Sequence, residues 1–73
     1  MSDSLPSFTP KELIKILEKI GFTFYRQTGS HRIYVKGNLQ VVVSFHVKDV
    51  KKGTLHQIIK GTGFSVDEFK KFI

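Results

Sequence analysis

The stretch FTFYRQTGSHRIYVKGNLQVVVSF, residues 22–45, decides the fold. It holds three runs rich in aromatic and β-branched residues, FTFYRQ, HRIYVK and LQVVVSF, a composition that favours strands. They are joined by TGS and by Gly37-Asn38. The second joint is short and led by glycine, which predicts a tight hairpin between the second and third runs. The three together read as an antiparallel meander. Phe22 and Phe24, then Ile33 and Val35, then Val41, Val43 and Phe45 are the candidates for its buried face.

Before the meander stands FTPKELIKILEKIG. Thr9 suits an N-cap, Pro10 the first helical position, and Glu12 completes a T-x-x-E capping box. Phe8 and Leu13 are spaced for a hydrophobic staple across that start. Leu13, Ile16, Leu17 and Ile20 recur at helical spacing, and Gly21 is a stop signal. Lys11, Lys15 and Lys19 then form a basic stripe on the solvent side, the pattern of a solvated face. After the meander, Gly53-Thr54 opens a second helix that turns Leu55, Ile58 and Ile59 inward and ends near Gly61 or Gly63. Ser65 and Glu68 make a second capping box for a short last helix, with Phe64 and Phe69 as its staple. The predicted order is α-β-β-β-α plus a short C-terminal helix. This is an α+β domain with a three-stranded antiparallel sheet and helices on one face. Residues 1–7 are expected to be a flexible arm and 8–73 a single domain.

Seventy-three residues leave no room for a second core, and a chain of this size buries only about 60% of its unfolded surface. The absence of cysteine excludes disulfides and thiolate metal sites and fits a reducing cytoplasm. MSDSLPSFTP lacks the basic and apolar regions of a secretory signal. No apolar stretch approaches the roughly 20 residues of a membrane span. A soluble cytoplasmic protein without membrane contact is the expectation. Twelve Lys and Arg against six Asp and Glu give a net charge of +6, which favours polyanionic partners through phosphate contacts and counterion release. Solubility alone is the competing explanation.

One candidate for proton chemistry is His31, at the junction of the TGS turn and the second strand. An imidazole titrates near neutrality and suits proton transfer. Gly29 and Ser30 would let a phosphate approach closely, with turn N–H groups turned towards its oxygens. Arg26 and Arg32 are the nearest guanidinium groups for that phosphate, and Tyr25 and Tyr34 are candidates for stacking on unpaired bases. His46 shares its strand face with Val42 and Ser44 and is a candidate second group. Lys51 and Lys52 precede a helix start, where free N–H groups attract anions. His56 reads as a solvent-facing helical residue. Three histidines without cysteine and without an H-x-x-x-H pair give no metal site, and no cofactor is expected. A histidine at a strand start is, without context, more often a surface or edge residue than a catalytic one, and strand parity places His31 beside Ile33 and Val35 on the expected core side.

Three segments resemble the HicA family of toxin–antitoxin mRNA interferases: LIKILEKIGF running into the first strand, RQTGSHRIYVK around the histidine, and KKGTLHQIIKGTGFSVDEF. The resemblance extends over nearly the whole chain from Phe8 to Phe72. It implies a double-stranded-RNA-binding-domain-like fold and a metal-independent endoribonuclease that cleaves mRNA, arrests translation and is neutralised by a HicB-type antitoxin. It also implies that activity depends on the G-S-H histidine, here His31. The family's second common histidine, after the third strand, matches His46. SFHVKDVKKG departs from the shorter, proline-containing link of many relatives. A non-catalytic RNA-binding module, and a fold serving only as a protein-interaction surface, are the other readings. Loss of cleavage on His31→Ala separates the first from both.

Overall fold

The computed structural model describes residues 5–73. Helix α1 (Pro10–Ile20) is followed by strands β1 (Thr23–Thr28), β2 (His31–Lys36) and β3 (Leu39–Ser44), and then by helices α2 (Lys52–Gly61) and α3 (Val66–Lys70). The strands form one antiparallel sheet in the order β1-β2-β3, so β2 is central. This is the expected α-β-β-β-α order with its short last helix. Of the expected arm, residues 1–4 lie outside the described residues, Pro6 and Ser7 are exposed, and Leu5 is buried in the core.

Local signals place the elements. Thr9 caps α1 through the full capping box with Glu12, and Ser65 caps α3 likewise with Glu68. Both two-residue connections, Gly29-Ser30 and Gly37-Asn38, have a positive φ of 59° at their glycine and at no other residue. That is the pattern of a II′ turn, whose twist matches the flanking strands. Helix α2 starts slightly earlier than the Gly53-Thr54 signal suggests, with Lys51 as an extended N-cap that makes no side-chain cap bond.

Helices α1 and α2 both pack on β3, and α3 packs on α2. Leu13 and Leu17 of α1, Leu55 and Ile59 of α2 and Phe69 of α3 meet Tyr34, Val41 and Val43 of the sheet in one core. Gly61 makes the α2–β3 approach possible, because a Cβ there would stand 2.9 Å from Val41 Cγ1. The other face of the sheet is open, and β1 is exposed along its whole length.

The parity of β2 reverses the expectation. Tyr34, 2% exposed, is the core residue of β2, while Ile33 and Val35 are half-buried on the open face. The helix-facing set is Arg32, Tyr34 and Lys36, and its two cations lie at the margins of the core, where long stems cover apolar surface and the charged ends find partners. The Arg32 guanidinium stacks 4.3 Å from the Phe45 ring centroid, and Lys36 Nζ donates to the Ile20 carbonyl at the end of α1 at 2.9 Å. On β1, Phe24 shares that side and meets Tyr34 edge-on but remains 53% exposed, because no helix covers it. Tyr25 is the extra residue of a β-bulge between the Phe24–Tyr34 and Arg26–Ile33 pairs.

Candidate active site

His31 opens the central strand, with Thr28 of β1 and Ser44 of β3 as its cross-strand partners. Strand alternation puts its side chain on the open face, and it is exposed. The parity that would have buried His31 with Ile33 and Val35 instead turns all three outward.

The pairing of β2 and β3 continues past Ser44, where the Phe45 N–H donates to the Ser30 carbonyl at 2.7 Å. This bond brings His46 back over the β1–β2 turn. Its Nδ1 lies 2.8 Å from the Ser44 hydroxyl and 3.1 Å from the Ser30 hydroxyl. The His31 and His46 rings meet edge to face with centroids 6.1 Å apart. Both rings are exposed, and both serines are half-buried beneath them. Two imidazoles thus stand side by side on an open surface, next to a turn whose glycine adds no side chain. Such a pair can take a proton from one oxygen of a ligand and deliver one to another. Among the described residues no group of three or more His, Cys, Asp or Glu side chains is placed to hold a metal ion.

The remaining candidates divide. Arg26 is exposed on the open face, opposite Ile33 and two pairs along from His31, and Tyr25 is 62% exposed at the bulge. Lys51 and Lys52 are exposed at the start of α2. Lys51 and Ser44 line one cleft of about 200 Å3, floored by Val43, Val50 and Ile58, so the start of α2 adjoins the end of β3 from which His46 departs. Two candidates are not brought to the site. Arg32 points to the opposite side of the sheet from His31, and its Nε donates to Gln27 Oε1 at 3.2 Å. Tyr34 is buried in the core and offers no ring face to a base. His56 is half-buried on α2, where it has partners of its own, rather than solvent-facing. Ser44 is the residue that sequence reasoning left without a role. Its signal was position: two residues before His46 on one strand face, it also falls opposite His31 once the Gly37-Asn38 hairpin sets the register.

Among the described residues no helix is long and apolar enough to cross a membrane. The family model for the HicA toxin of bacterial toxin–antitoxin systems matches residues 10–64, which include both histidines and the start of α2. No curated protein matches the chain.

Proposed function

This chain belongs to the HicA toxin family of bacterial toxin–antitoxin systems, and from that premise we propose that it is a metal-independent endoribonuclease that cleaves mRNA and so arrests translation. RNA carries its own nucleophile, the 2′-hydroxyl, so the protein has only to move protons and to stabilise the charged phosphorane. The observation that carries this reading is the exposed imidazole of His31, at the end of the central strand and beside a glycine-serine turn. His31 transfers a proton at the scissile phosphodiester, a step to which one well-placed group contributes about 10²–10⁴-fold. Arg26 and the Ser30 hydroxyl are the phosphate contacts on the same face. Lys51 and Lys52 hold the backbone further along, where the dipole of α2 favours negative charge. Tyr25 supplies a ring for an unpaired base.

A HicB-type antitoxin neutralises the protein by covering this surface, and electrostatic complementarity to a chain of net charge +6 calls for an acidic patch on that partner. The test is incubation of a long mRNA with the protein in EDTA, wild type beside His31→Ala, with RNA affinity measured in parallel. The expected result is cleavage by the wild type that is lost in the variant while affinity stays. Binding without cleavage by either protein would instead favour a non-catalytic RNA-binding module.

A further inference from the structure

Resting on that reading, we infer that His46 is the second proton-transfer group of the same reaction, held in position by the hydroxyls of Ser30 and Ser44. Two hydroxyl oxygens converge on one ring nitrogen, Nδ1 of His46, at 2.8 Å and 3.1 Å, while the ring lies edge to face with His31. The three residues come from the β1–β2 turn, the last position of β3 and the segment beyond it, and the Phe45–Ser30 backbone bond fastens them together. With Nδ1 occupied from below, Nε2 is the nitrogen left to face a ligand. A serine hydroxyl both donates and accepts. An Nδ1–H shared between two such oxygens keeps its hydrogen bonds whether or not Nε2 carries a proton. Two neutral hydroxyls fix the ring without placing a charge beside it. His31 has no ring hydrogen bond among the described residues and is placed by the strand itself. The charged residues on the segments that carry the pair are Arg26 on the open face of β1, and Lys48, Asp49 and Lys51 between His46 and α2.

In the reaction, the 2′-oxygen forms a bond to phosphorus as its proton passes to one imidazole. The bond from phosphorus to the 5′-oxygen breaks as that oxygen takes a proton from the other ring, which arrives as imidazolium. The products are a 2′,3′-cyclic phosphate and a 5′-hydroxyl, and no co-reactant is consumed. His31 and His46 are the catalytic pair; Ser30 and Ser44 are positioning residues for His46.

The experiment follows the pH dependence of mRNA cleavage in EDTA for the wild type, His31→Ala, His46→Ala and the Ser30→Ala/Ser44→Ala double variant, with RNA affinity measured alongside. A bell-shaped wild-type profile is expected. His46→Ala should cleave about 10²–10⁴-fold more slowly, lose one limb of the bell, bind RNA as before, and recover part of its activity in added imidazole. The double serine variant should keep both limbs while kcat falls, and Ser44→Ala alone, which removes no phosphate contact, should lower kcat with KM unchanged. His46→Ala cleaving at the wild-type rate with both limbs intact overturns the inference, and so does a slow variant that imidazole leaves unrescued. If His31→Ala also cleaves like the wild type, the parent reading falls; an inactive His31→Ala beside a fully active His46→Ala removes this inference alone.

Discussion

His31 and Arg32 are neighbours in the chain and lie on opposite sides of the sheet, so their substitution should separate two kinds of contribution. The Arg32 guanidinium stacks on Phe45 and is braced by Gln27, at the margin of the core. Arg26 is exposed on the face that carries His31. Arg26→Ala should weaken RNA binding and reduce the salt dependence of affinity by about one phosphate contact, with thermal stability unchanged. Arg32→Ala should do the reverse, lowering the melting temperature through lost packing and stacking while the salt dependence of binding stays as in the wild type. Titration of both variants across ionic strength, with thermal denaturation alongside, distinguishes them. Both arginines were visible in the sequence as cations near His31. Which one shares its face could not be read there, because β2 alternates two plausible inward sets. Ile33 with Val35 is the more apolar, but the larger Tyr34 fills the centre, and its flanking cations reach partners at the margins.

The elements themselves were written locally. Capping boxes at Thr9 and Ser65 and glycine-led turns depend on residues a few positions apart, and each appears where its motif stands. What depended on distant contacts was less legible: the parity of β2, the bulge at Tyr25, and the return of His46 to Ser30, which needs the Phe45–Ser30 bond across the end of the sheet. Gly61 is another tertiary demand hidden in a local pattern. It looks like a helix-stop signal, yet its place in the fold is the close contact of α2 with Val41. Gly61→Val should destabilise the protein by about 1–3 kcal/mol through overpacking. Gly53→Ala, in the first turn of α2 with open space around its Cβ position, should stabilise by about 0.5–1 kcal/mol through helix propensity and a less flexible unfolded chain. Chemical denaturation of the two variants measures both, and a stable Gly61→Val would show that α2 can move off β3 without cost.

At the scale of the whole molecule, the fold separates support from chemistry. The helices and the core occupy one side of the sheet; the other side presents two imidazoles, a turn open to phosphate and a cation, with two lysines at the adjoining helix start. A net charge of +6 on 73 residues favours polyanions without selecting their sequence, so on the proposed reading RNA affinity should fall steeply with salt, the logarithmic slope being about −0.7 per phosphate contact for a single strand. The central claim is that this surface cleaves RNA by moving protons to and from the RNA's own oxygens, and it fixes the chemistry of the cut ends. The most direct measurement is therefore the identity of the termini produced from a long mRNA in EDTA. Fragments bearing 2′,3′-cyclic phosphates and 5′-hydroxyls, absent with His31→Ala, are the predicted result; 5′-phosphate ends, or cleavage that persists without His31, would contradict the account.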